Sequence, residues 1–176
     1  MNKFIVAAAA GALLAWPALA ETVGEKTGIN STLGIAPTTA DFVQEAAISD
    51  MFEIQSSKAA SAKLSGPEKD FADRMVTDHT KTTDELTTQA KADNISLPVA
   101  MDGSHQQMLD NLNRLNGDDF KKRYFSDQVS AHKAAVSLFE RYAKGGDNAK
   151  LKEWASTTLP TLRHHLEMAQ GLYKNS

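Results

Sequence analysis

From Thr38 onward, apolar residues recur at spacings of three and four, and no run alternates apolar with polar residues over the length of a strand. The pattern predicts an all-α protein. The first long helix is expected from about Thr39 to Leu64, with Thr38 three residues ahead of Asp41 in a capping-box arrangement. "SGP" stops it, and Ser65, three before Glu68, opens a second helix with Pro67 in its first turn, where a missing N–H costs little. That helix runs to about Asn94. A short connecting helix follows in "SHQQMLDNLNRLNG", with Ser104 and Gln107 as a box and Met108, Leu112 and Leu115 as its stripe. Asp118 opens a third long helix that closes at the Gly145-Gly146 pair. Asp147 can cap the fourth, in which Pro160 is expected to kink or break the run. Four helices of about 25 residues, each roughly 38 Å long, joined by tight turns at Gly66 and Gly146, describe a four-helix bundle over residues 38–174 with one extra connecting helix.

The stripes are not purely apolar. In the second helix Phe71, Met75, Thr82 and Leu86 share a face with His79. The first helix carries Glu53 on the stripe of Phe42, Ala46 and Ala60. The third carries His132 among Phe125, Val129, Val136 and Phe139, and the fourth carries His165 among Leu151, Ala155, Leu162 and Ala169. Each long helix therefore turns one polar side chain inward. Glu53 lies 13 residues before Gly66 and His79 lies 13 after it, which sets the two level at roughly 20 Å from the turn. His132 and His165 are offset by five residues about Gly146, roughly 7.5 Å, and Gln128 matches the height of His165 better. The direction of the third long helix relative to the second is open from spacing alone.

One carboxylate and three imidazoles suit a mononuclear site for Zn, Cu or Fe, with Glu53, His79, His132 and His165 as ligands and Gln128 behind them. The same residues also fit a buried polar network, with Glu53 pairing His79 and Gln128 pairing His132 or His165. A di-iron oxidase centre needs Glu-x-x-His on two helices. Here Val76, Val129 and Leu162 stand three before the histidines, so that motif is missing. Asp78 is expected to be a solvated acid, His105 and His164 to be surface residues, and the methionines to be packing. Trp154 and Tyr124 are core anchors with a polar tip. No nucleophile context or glycine-rich phosphate loop is present, so whether the protein is an enzyme is left open.

The N-terminus changes the picture of location. "MNKFIVAAAAGALLAWPALAE" has one lysine, an apolar run too short to span a bilayer, and small residues at Ala18 and Ala20, the signature of a secretory signal cleaved between Ala20 and Glu21. A periplasmic or secreted protein is expected, with no membrane span after cleavage. Residues 21–37, with three glycines and a proline, read as a flexible leader. Losing residues 1–20 leaves 18 basic and 22 acidic side chains, and no basic patch that would invite nucleic acid. The chain has no cysteine, so disulfides, thiolate metal sites and a lipidated N-terminal cysteine are all excluded.

The segments "FEIQSSKAA", "FADRMVTDHT", "LNGDDFKKRYFSDQVSAHKAAVSLFE" and "LPTLRHHLEMA" together resemble the bacterial domain of unknown function 4142 family, placed among ferritin-like bundles. The family's motif positions fall on Glu53, Asp78, His79, Tyr124, Gln128, His132, Pro160 and His165. Lys121 after Phe120 departs from the family's frequent Phe-Asp. The resemblance implies a ferritin-like bundle, export and inward histidines, but no reaction. The reading is an exported helical bundle of unassigned activity, non-catalytic, with a central Glu/His cluster. Its alternatives are a metal-binding or metal-buffering protein, and an envelope stress or interaction protein acting through its helix surfaces.

Overall fold

The computed structural model describes residues 22–26 and 28–176. The expected signal segment lies outside the described residues. The chain is helical, without strands among the described residues: α1 (Val23–Lys26), α2 (Ile29–Leu33), α3 (Thr39–Lys63), α4 (Gly66–Ala92), α5 (Gly103–Asn113), α6 (Gly117–Gly145) and α7 (Ala149–Lys174). The long helices begin close to where the sequence places them, although the caps differ in detail. Thr38 Oγ1 accepts from the Asp41 N–H as expected. Ser65 makes no side-chain cap, and Gly66 enters α4 at φ 58°, a left-handed conformation that glycine adopts without strain. Asn148, not Asp147, caps α7 by accepting from the Lys150 and Leu151 N–H groups. Asp147 instead meets the Thr39 hydroxyl. Asp102 caps α5 in place of Ser104. Pro160 sits inside α7 without ending it.

α3 and α4 form one hairpin and α6 and α7 the other; α3 also packs on α6 and α4 on α7, closing a four-membered ring. Contacts at the ends fix the directions. Thr39, at the start of α3, meets Tyr142 near the end of α6, and Asn148, before α7, binds Asp93 just past α4. At the other end Lys63 reaches the Leu115 carbonyl just before α6. All four neighbouring pairs are therefore antiparallel, and α6 runs parallel to α4. Reaching that arrangement requires residues 93–116 to travel the length of the bundle, and α5 lies in this crossover against α3 and α6.

Two apolar clusters fill the interior. Around Phe42, Leu138, Phe139, Tyr142, Leu151 and Trp154 one end is closed; around Phe71, Met75, Phe120, Tyr124 and Phe125 the other is. Phe42 stacks on Tyr142 at 3.9 Å, and the large rings stabilise the fold by roughly 1.5–3 kcal/mol each through burial. The polar tips of the anchors find partners: Trp154 Nε1 donates to Glu85 at 2.9 Å, and the Tyr124 and Ser57 hydroxyls pair at 2.8 Å.

Residues 22–37, expected to be a flexible leader, hold two short helices tied to the bundle. Glu25, buried, makes an ion pair with Arg141 of α6, whose Nη1 also donates to the Ile35 carbonyl at 2.8 Å. No helix among the described residues is long and apolar enough to cross a membrane.

Candidate metal centre

Between the two apolar clusters lies a layer that is almost entirely polar. Glu53 and Asp50 come from α3, His79 from α4, Gln128 and His132 from α6, and His165 from α7; all are buried. The 3.6 period places each on an inward stripe, and the antiparallel ring brings the four stripes together at mid-height. The ring centroids of His79, His132 and His165 are 5.5, 5.5 and 5.4 Å apart, a nearly equilateral triangle. One ligand atom from each lies within 4.8 Å of the other two.

The outward nitrogen of every ring is held by an acceptor. His79 Nδ1 donates to Asp50 Oδ1 at 2.8 Å, and Asp50 is itself fixed by the Thr82 and Thr83 hydroxyls. His132 Nδ1 donates to the Gln128 carbonyl at 2.9 Å, one turn back on its own helix. His165 Nε2 donates to Asp78 Oδ2 at 2.8 Å. Carboxylates and a carbonyl can only accept, so these bonds set the tautomers. The lone pairs of His79 Nε2, His132 Nε2 and His165 Nδ1 are left inside, buried and without a partner. Both Glu53 oxygens and Gln128 Oε1 share that condition. A buried polar atom without a partner costs about 1–3 kcal/mol, so six in one layer need a cause. A divalent cation supplies one: it fits lone pairs of neutral imidazoles whose far N–H groups are oriented by acceptors.

The expected residues therefore meet in part. The three histidines converge. Glu53 lies beside them, its Oε1 3.7 Å from His132 Nδ1, and belongs to the same layer but not to the three-membered group. The Glu53–His79 pairing expected from height is replaced by Asp50–His79. Gln128 meets His132 through its main chain, while its side-chain Nε2 makes a long contact of 3.4 Å with Ser56 Oγ and its amide also acts on the Glu53 carboxyl. Asp78, expected to be a solvated acid, instead holds His165 with its side chain 33% exposed. His164 is exposed, and His105 pairs with Asp102 at the start of α5. Sequence reading missed Asp50, although it stands one turn before Glu53.

Electrostatics follow the same division. Burial pushes the Glu53 carboxyl up to about 7, a rise that the His79 charge and the Gln128 amide only partly offset. Burial lowers His132 to about 3 and His165 to about 4, with His79 adding repulsion in both cases. For His79 burial also pulls downward, but the Asp50 hydrogen bond and the charges of Asp50, Glu53 and Asp78 outweigh it and raise the ring above its ordinary value. Two of the three imidazoles thus stay neutral, as ligands must be. Without metal, the consequence is a stability maximum near pH 6.5. Below it, the unfolded chain takes up protons at two histidines that the folded chain refuses, while folded Glu53 already holds one that unfolded Glu53 does not. The net of one proton predicts a loss of about 1 kcal/mol per pH unit between pH 6.5 and 4.5, measurable by urea unfolding in chelator. Above pH 6.5 the raised His79 and Glu53 give up protons and stability falls again. A flat profile across this range would show that the rings titrate normally.

Fold and site together define an all-α four-helix bundle with a crossover connection and a buried three-histidine centre. The chain belongs to the DUF4142 family, a domain of unknown function, which matches it over residues 24–172. Its fold is similar to that of CopM, solved in the Cu(II)-bound form: TM-score 0.68 and 16% identity, over 80% of this chain and 99% of that one. At that identity the likeness is one of fold. No curated protein matches the chain.

Proposed function

We propose that this protein is an exported metal-binding protein that holds one transition-metal ion, Cu(II) foremost, at His79, His132 and His165, with Glu53 as the anionic partner. The observation that carries the reading is the convergence of three partnerless ring nitrogens whose opposite nitrogens are each tied to an acceptor. Imidazole suits Cu, Zn and Fe, and Cu(II) ranks highest in affinity among the divalent ions. The Cu(II)-bound state of the structurally similar CopM favours the same choice. When bound, the ion would supply Lewis acidity at an open position. Buffering or carriage of the metal is the role this reading favours. Among the described residues, the layer is sealed above and below by aromatic side chains, which suits retention rather than turnover.

Export rests on the N-terminal segment, whose cleavage would begin the mature chain at Glu21. One preparation tests both parts: untagged protein recovered from the periplasm, its first residue sequenced, stripped with chelator and titrated with Cu(II) and Zn(II). Glu21 as first residue and one equivalent of Cu(II), with a spin-resonance spectrum showing nitrogen coupling, are expected. An unprocessed chain in the cytosol would remove the export claim, and no binding of either ion would remove the metal claim.

A further inference from the structure

A site buried this deeply needs a way in. The two apolar clusters close the bundle along its axis, and a hydrated ion cannot cross them without losing its water to groups that offer nothing in return. Passage must therefore be sideways, through a seam between helices. The hairpin seams α3–α4 and α6–α7 are extensively packed, and α5 covers the α3–α6 seam. The α4–α7 seam is the most thinly packed of the four.

That seam holds a cleft of about 530 Å³, lined by Asp78, Thr82, Thr161, His164 and His165 among others, with Pro160 in its wall. The local sequence explains the opening. Short threonine side chains on both helices leave the space unfilled, and Pro160 interrupts the hydrogen-bond ladder of α7 at that level. His165 is 1% exposed, yet it borders the cleft on one side and the three-histidine layer on the other. Its Nε2–H faces Asp78, which is one-third exposed, while its Nδ1 lone pair faces inward. Lys81 at the mouth is drawn to Glu85 at 3.7 Å, and Asp78 is the carboxylate of the cleft that touches a ring of the centre.

Resting on the reading of the layer as a metal centre, we propose that ions enter and leave through the α4–α7 cleft and that Asp78 is the positioning residue that passes them between solvent and His165. An arriving ion takes the Asp78 carboxylate and displaces the hydrogen bond from His165. The freed imidazole swings toward the cleft, binds the ion through the Nδ1 lone pair, and returns; its proton stays on Nε2 throughout and is accepted again by Asp78. No covalent bond to hydrogen is broken; the carboxylate, the lone pair and the Nε2–H exchange partners.

The test uses stopped-flow mixing of metal-free protein with CuCl₂, followed by quenching of Trp154, with release driven by excess chelator. Thr161→Phe plugs the cleft from an exposed helix position without touching a ligand. It is expected to slow loading and release together by about tenfold, with Kd unchanged within about threefold, because a steric gate alters rates and not the end states. Asp78→Asn keeps an acceptor for His165 but removes the charge, and is expected to slow loading by about tenfold, the scale typical of electrostatic steering. Wild-type rates in both variants, with one equivalent still bound, would overturn the route and leave the metal centre standing. Slowing by Thr161→Phe alone would keep the route and remove the part assigned to Asp78. A wild-type protein that binds no copper would overturn both readings, and the stoichiometry shows that case directly.

Discussion

Replacing His132 with alanine is expected to reduce the copper content from one ion per chain to none, while changing the metal-free fold comparatively little. The two halves of that expectation have different causes. His132 supplies one of three converging lone pairs, and losing even an orienting neighbour of a metal ligand typically costs about 10–100-fold in affinity, so losing the ligand itself costs more. In the metal-free protein, by contrast, the ring is neutral and its Nε2 has no partner. Its other nitrogen returns to the Gln128 carbonyl of the same helix, with Glu53 Oε1 farther off at 3.7 Å. Removing it therefore leaves a cavity but strands no charge. His79→Ala differs here, since it takes away the ring that Asp50 holds and leaves a buried carboxylate with threonine hydroxyls alone. Calorimetric unfolding with and without Cu(II) separates the cases. A ligand at about 100 times its Kd adds about 2.7 kcal/mol to the wild type, and His132→Ala should lose that increment entirely. Retention of one equivalent at wild-type affinity by His132→Ala would sink the three-histidine assignment.

The inward histidines were legible in the sequence because periodicity alone assigns a side chain to a face: His79, His132 and His165 each interrupt an apolar stripe at the correct spacing. What periodicity cannot assign is the neighbour across a seam. Asp78 lies about 100° round the helix from His79, which on an isolated helix is a solvent-facing position. It meets His165 because α7 packs against α4, and that adjacency depends on the long crossover carrying α6 back to run parallel to α4. No residue pattern in 93–116 states that direction.

The Asp50 partner was missed for a simpler reason, the choice of a centre for counting. Heights measured from Gly66 pair His79 with Glu53. Yet α3 ends at Lys63 and α4 starts at Gly66, so the hairpin reflects about Leu64 and Ser65, and His79 then falls level with Asp50. A shift of three residues is one helical turn, enough to exchange one carboxylate for another. The leader was illegible for want of any period. Its attachment runs through the buried Glu25–Arg141 pair, the Arg141 bond to the Ile35 carbonyl and the Thr22 bonds to Asp41, which no local pattern in residues 21–37 announces.

That exchange of partners is what leaves Glu53 idle in the metal-free protein, and it leads to the second large effect. Glu53→Gln is expected to make the metal-free protein more stable at pH 8 and a weaker binder of copper. The folded carboxyl titrates at about 7 against an ordinary 4.5, so its contribution is intact below pH 4.5 and is lost as pH rises through 7. At pH 8 the shift corresponds to a cost of about 3 kcal/mol for keeping an unpaired charge in the layer. Glutamine removes the charge but still presents a buried amide, so about 1–3 kcal/mol should be recovered in chelator, with little change at pH 4.5. Copper affinity should fall by about tenfold or more, because the carboxylate that lies beside the three rings without holding an outward nitrogen of any of them is gone. Urea unfolding at the two pH values, run beside a copper titration, decides the matter. Equal stability at pH 8 would mean that Glu53 ionises without penalty and already has a partner. Higher stability together with lost affinity would mean that the bundle retains an ill-placed charge because a cation is meant to sit against it.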